Sequence, residues 1–158
     1  MNIENEDPPE YHLASLNRDI RDLMNLTLRR HGLKLVEWRL LQCLETEGAL
    51  TVSDLATLAV IERTVTSRLV DKLTERGFVS KIQMPGDRRF SQVSLTEAGL
   101  AQLQSCTQDV NKARAMLFDG LSQEEILQFL AVLQQMQANA AGAKRGRRQG
   151  GGKSRNLA

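Results

Sequence analysis

Aromatic residues are scarce in this chain: four Phe, one Tyr and one Trp make up 4% of its 158 residues. A core with so few rings must be filled by Leu, Val, Ile, Ala and Met, which suits packed helices better than a β-sandwich. Cysteine is limited to Cys43 and Cys106, far apart and with no His or Cys nearby, so metal-ligand spacing is missing and no metal site is expected. Both sulfurs fall on apolar faces of expected helices, where burial is the simplest role. Histidine is limited to His12 and His31, neither with an obvious catalytic partner. There is no Gly-rich phosphate loop, no nucleophile elbow and no His-Glu metal motif, so neither an enzyme nor a bound cofactor is expected. No stretch approaches the roughly 20 apolar residues of a membrane span. The first ten residues carry Glu4, Glu6, Asp7 and Glu10 with no apolar run, unlike a signal peptide. A cytoplasmic location without a membrane partner is the expectation.

Charge is present but unevenly placed. The formal net charge of +2 includes Lys144, Arg145, Arg147, Arg148, Lys153 and Arg155, which lie in a tail with no acid. Without them 15 basic side chains face 19 acidic ones. The body is mildly acidic, so any nucleic-acid site must come from local clustering. The tail itself suits either a DNA-holding arm or a solubilising end.

Periodicity predicts the elements. Leu13, Leu16, Ile20, Leu23 and Leu28 recur at helical steps and describe an amphipathic helix ending near His31-Gly32. A second helix spans about Leu35 to Glu47, buries Trp38, Leu41 and Cys43 or Leu44, and stops at Gly48. Thr51, with Asp54 three residues on, caps a short helix. A break at Ala59-Val60-Ile61 precedes a helix from Glu62 to Arg76, whose inward stripe is expected to be Val65, Leu69, Val70 and Leu73. After Gly77 the period becomes alternating, with strands around Phe78-Ile82 and Phe90-Leu95 joined by the turn Pro85-Gly86-Asp87. Thr96 caps a long helix carrying Leu100, Leu103, Cys106, Val110, Ala113 and Leu117, and Ser122-x-x-Glu125 is a capping box for a last helix reaching Met136.

The expected fold is therefore mainly α with a small β-hairpin wing: a winged helix-turn-helix lobe at 34–95 and a helical dimerisation region at 11–33 and 96–138. An acidic flexible N-terminus at 1–10 and a disordered basic tail at 139–158 flank them. The helices outside the lobe carry more apolar surface than a small winged helix can cover, which favours burial across a two-fold axis.

Burying the inward stripe of the helix 62–76 turns Arg63, Thr64, Thr66, Ser67, Arg68 and Lys72 outward, and Ser53 starts the preceding helix. Cations for phosphates and short hydroxyl side chains for base edges are what a major-groove helix requires. Arg88 and Arg89 lie at the mouth of the hairpin, within reach of a minor groove or backbone. A solvated charged face, or an interaction or ligand-binding module without DNA binding, would show a similar topology.

The stretch DLATLAVIERTVTSRLVDKLTERGFVSK, the wing PGDRR and the segment VSLTEAG resemble the MarR family, and Trp38 in VEWRLLQCL resembles its second helix. The joint match covers some 65 residues. The resemblance implies a recognition helix at 62–76, a wing arginine (Arg88 or Arg89) oriented by Asp87, and a homodimer whose first and last two helices interlock. It also implies a repressor binding double-stranded DNA at a pseudo-palindromic operator and released by a small aromatic carboxylate or phenol. The effector would sit in a crevice between the dimerisation helices and the lobe. Asn17, Arg18, Arg21, His31 and Arg39 beside the Trp38 ring are the expected lining, although Arg18 and Arg21 suit surface ion pairs and His31 suits a helix end equally well. A redox-responsive regulator is the alternative, weakened because no cysteine lies near the start of the first helix.

Overall fold

The computed structural model describes residues 7–84 and 87–150, and over 83–84, 87–91 and 144–150 it describes the backbone alone. The chain divides into two units, one ending at Leu117 and the other beginning at Phe118.

In the first unit the elements are α1 (Pro9–Arg29), α2 (Leu35–Glu47), β1 (Leu50–Thr51), α3 (Val52–Ala59), α4 (Arg63–Glu75), β2 (Val79–Met84), β3 (Asp87–Leu95) and α5 (Glu97–Leu117). The architecture is the expected one, mainly helical with a β-hairpin, to which β1 adds a third strand. The sheet order is β1-β3-β2, antiparallel throughout, with Leu50 opposite Val93 and Val79 opposite Leu95.

α1 begins at Pro9, earlier than the Leu13 expected from apolar spacing. A proline near the helix start is favourable because its missing N–H would have no intrahelical partner there. The flexible N-terminus expected at 1–10 is corrected at its end, since Pro9 and Glu10 are helical; residues 1–6 lie outside the described residues.

The core is built by leucines and valines at helical spacing. Leu28 of α1, Leu40 and Leu41 of α2, Leu55 of α3, Val70 and Leu73 of α4, Val93 of β3 and Val110 of α5 are all buried in one cluster. The cluster runs without a gap from α1 and α5 into the helix-turn-helix, so the first unit shares a single core. α2 ends at Gly48, and Thr51 caps α3 by accepting from the Asp54 N–H at 3.2 Å while its hydroxyl donates to the Asp54 carboxylate at 2.7 Å. Glycine is required at the entry to α5. A Cβ on Gly99 would stand 2.0 Å from the Phe78 carbonyl oxygen, a carbonyl that also accepts from the Thr96 N–H at 3.1 Å. The wing and the start of α5 are thereby locked together.

The second unit is α6 (Gln123–Gly150), opened by the expected capping box: Ser122 Oγ accepts from the Glu125 N–H at 3.3 Å and the Glu125 carboxylate accepts from the Ser122 N–H at 2.8 Å. The disordered tail expected at 139–158 is corrected over 139–150, where α6 continues. Ala138, Ala140, Ala141 and Ala143 are the strongest helix formers, and the interior Gly142 and Gly146 do not outweigh them. Residues 151–158 lie outside the described residues. Among the described residues no helix is long and apolar enough to cross a membrane.

Candidate nucleic-acid interface

The helix-turn-helix is α3, a three-residue turn and α4. The turn is closed by the Val60 N–H donating to the Thr57 carbonyl at 3.2 Å and the Ile61 N–H donating to the Ala56 carbonyl at 3.0 Å. α4 lays Thr66, Val70 and Leu73 against the core, three positions at helical spacing. Arg63, Thr64 and Arg68 are exposed on the other side, Ser67 is half-buried, and Ser53 is exposed on the first turn of α3.

Val70 and Leu73 are buried as expected and Leu69 is half-buried, but Thr66 takes the place expected for Val65. Thr66 is fully buried while Val65 is 41% exposed, so Thr66 is corrected from the groove face to the core. The Thr66 hydroxyl donates to the Glu62 carbonyl at 3.0 Å, which satisfies it within the helix and lets the side chain pack as a valine would.

Lys72 is corrected as well. Its ammonium lies 2.6 Å from the carboxylate of Glu37, a residue only 1% exposed, and so points back toward α2. Glu37 also accepts from the Lys34 N–H at 2.9 Å and from Arg76 at 3.4 Å. Burial works to raise the Glu37 pKa, but the hydrogen bonds from Lys72 and Lys34 and the charges of Lys72 and Arg76 outweigh it and hold the carboxyl below the ordinary value. Arg76 in turn donates to the Gly32 carbonyl at 2.9 Å and covers the Phe78 ring at 4.7 Å. This network ties α4 to α2 and to the end of α1. Nothing in the sequence marks Glu37 out, because its partners lie 35 and 39 residues away.

The hairpin stands beside α4, held at its base by an ion pair between Lys81 of β2 and Asp71 of α4. Asp87, Arg88 and Arg89 open β3, and Asp87 pairs with Met84 across the hairpin. Their side chains, like Pro85 and Gly86 of the expected turn, lie outside the described residues.

Three of the expected effector residues come together. Asn17 and Arg21 of α1 and Arg39 of α2 line a cleft of about 510 Å³, closed by Leu35, Val36, Ala59, Val60 and Ile61. The other three are corrected. Arg18 is turned to Ser15 and Asp19 at the surface, at 3.2 Å and 3.5 Å. His31 bonds to Asp109 of α5 at 2.9 Å, and this bond, with the charge of Arg30, holds the Asp109 carboxyl below its ordinary value. Trp38 is 5% exposed in the core, under the guanidinium of Arg114 at 5.2 Å. Adjacent positions on a helix point about 100° apart, so the turn of α2 that brings Arg39 to the cleft sends Trp38 inward.

A family model described as MarR family matches residues 33–90, which cover α2, the helix-turn-helix and the start of the wing. Among curated proteins the chain is 27% identical over 121 residues to the HTH-type transcriptional repressor IacR of Pseudomonas putida, covering 77% of this chain and 72% of that one. Among solved structures, BpsR of Bordetella bronchiseptica superposes with a TM-score of 0.78 at 19% identity, covering 87% of this chain and 98% of that one. A mutant of MarR from E. coli complexed with operator DNA gives a TM-score of 0.75 at 22% identity, covering 86% and 99%. The helix-turn-helix, the hairpin and the family match fall on the same residues, and over them the chain is similar to MarR-family transcriptional regulators.

Proposed function

We propose that the protein is a cytoplasmic homodimeric repressor that binds a pseudo-palindromic operator through α4 and the wing and is released by a small aromatic carboxylate or phenol. The observation that carries the DNA reading is the division of α4 into two faces: Thr66, Val70 and Leu73 are fixed in the core, which leaves Arg63, Thr64 and Arg68 outward with Ser67 beside them. Two cations supply phosphate contacts, and the hydroxyl side chains can approach base edges. Ser53 adds a hydroxyl at the start of α3, and Arg88 and Arg89 with Asp87 take the wing roles that the family resemblance implies. The E. coli relative solved with operator DNA and the relative named as a repressor support the same reading.

A homodimer is supported by exposed apolar side chains. On α1 Tyr11 is 66% and Leu26 68% exposed; on α6 Leu127, Phe129, Leu130 and Val132 are all open to solvent. A second copy is the natural cover for such surface. Two recognition helices would then lie about 34 Å apart, one turn of DNA.

The effector reading rests on the cleft, where Arg21, Arg39 and Asn17 offer donors to a carboxylate beside apolar walls. BpsR, whose DNA binding is described as regulated by 6-hydroxynicotinic acid, supports an aromatic acid as the chemical class. A ligand that prefers the arrangement unable to bind DNA by about 1 to 3 kcal/mol weakens operator binding roughly 5- to 150-fold.

The test is genomic footprinting of the purified protein, followed by titration of the recovered sites at several salt concentrations. The reading requires protection of two half-sites about one DNA turn apart. No binding to any duplex at low salt would overturn it.

A further inference from the structure

Val60 is the one non-glycine residue with positive φ among the described residues, at φ 57° and ψ 47°. A β-branched side chain is disfavoured there because its Cβ crowds the following carbonyl. Val60 is also 81% exposed, so no burial offsets that cost. Its position gives the exposure a meaning. Val60 and Ile61 line the same cleft as Asn17, Arg21 and Arg39. One wall of the cleft is cationic and belongs to α1 and α2, and the facing apolar wall is the α3–α4 turn itself.

We infer that Val60 is a ligand-contact residue: its isopropyl group covers the apolar body of a small organic acid whose carboxylate is held by Arg21 and Arg39. Occupancy thereby bears on the recognition helix through this turn, within one protomer. The inference rests on the cleft being the effector site. It narrows the ligand class, because an inorganic anion would leave Val60 bare and a neutral apolar molecule would leave both guanidinium groups without a partner. It also shortens the path of regulation. α4 begins at Arg63, three residues after Val60, so a ligand seated against the turn bears directly on the first residues of the DNA-facing helix.

The experiment uses the full chain, with 6-hydroxynicotinate, benzoate and inorganic phosphate as probes in calorimetry, and operator affinity measured with and without each probe. Val60→Gly and Val60→Asn both tolerate the left-handed conformation and remove the isopropyl group. Each is expected to weaken benzoate and 6-hydroxynicotinate binding about 3- to 10-fold. At matched occupancy each should also lower operator affinity less than in the parent, and Arg39→Ala should abolish binding of both acids. If Arg39→Ala loses both acids while the two Val60 variants bind and release DNA as the parent does, the role of Val60 is refuted and the cleft reading stands. Inorganic phosphate binding as tightly as benzoate would also refute it. Failure of both acids to bind the parent protein would remove the cleft reading and this inference together.

Discussion

Glu37 and Lys72 meet at 2.6 Å, the carboxylate 1% exposed and the ammonium half in solvent, and this pair joins α4 to α2 beneath it. With Arg76 on the second carboxylate oxygen at 3.4 Å, one buried acid on α2 sets the rotation of α4 and hence which of its residues face outward. A cation that the sequence assigns to DNA is spent on the scaffold.

Replacing Glu37 with Gln removes a charge that three donors are arranged to hold, at a cost of about 1–3 kcal/mol. The pH dependence has a definite sign. The folded-state pKa of Glu37 lies below its ordinary value of 4.5, so the unfolded chain takes up the proton first as pH falls. The stabilisation is complete above the unfolded value and is lost as pH drops through the folded one, from about pH 5 downward. Urea midpoints measured from pH 7 to pH 3 should fall less steeply for Glu37→Gln than for the parent; parallel curves would show that Glu37 carries no such linkage.

Thr66 and Arg68 should separate cleanly. Thr66→Val keeps the buried shape and removes a hydroxyl bonded only within its own helix, so operator affinity should stay within about twofold, an energy difference of ~0.4 kcal/mol. Arg63→Ala and Arg68→Ala should each weaken operator binding and reduce the slope of log affinity against log salt by about 0.9 per lost phosphate contact, and the same is expected of Arg89→Ala in the wing. Slopes equal to the parent's would remove those arginines from the interface.

Gly99→Ala places a Cβ 2.0 Å from the Phe78 carbonyl oxygen, against backbone that cannot swing aside. A loss of about 1–3 kcal/mol in unfolding free energy is expected. Ala at Gly142, whose Cβ would meet nothing within 4 Å, serves as the control and should be neutral or slightly stabilising. Equal midpoints for the two variants would contradict the close approach.

Burial pushes both thiols up, with Glu47 adding to the effect at Cys43 and Asp109 at Cys106, so neither is a ready nucleophile at neutral pH. Mild peroxide should leave operator affinity unchanged, and iodoacetamide should label Cys106, which is fully buried, only as fast as the protein unfolds. Rapid modification of Cys106 in the native protein, with loss of DNA binding, would restore the redox alternative.

Local rules made much of the fold legible. Gly48 marked the end of α2, Thr51 and Asp54 marked the start of α3, and Ser122 and Glu125 the start of α6. Each is a short-range device whose geometry depends on neighbours within a few residues. β1 leaves no mark in the sequence because two residues are too few to show a period, and its existence depends on β3 lying alongside. The charge and glycine content of the tail favour disorder, whereas its alanines carry the helix to Gly150.

The helix-turn-helix, the hairpin and the resemblance to a family were legible in the chain alone, because they rest on hydrophobic period, turn residues and motif order. Which face of α4 reads outward was not. Val65 and Thr66 are both β-branched, so either can lead a stripe that continues through Val70 and Leu73. Packing chose between them, since a threonine can satisfy its hydroxyl on the Glu62 carbonyl while Glu37 draws Lys72 inward. The same holds for the cleft: Asn17, Arg21 and Arg39 meet there only because α1 and α2 cross beside the α3–α4 turn, a contact between segments that no spacing along the chain encodes.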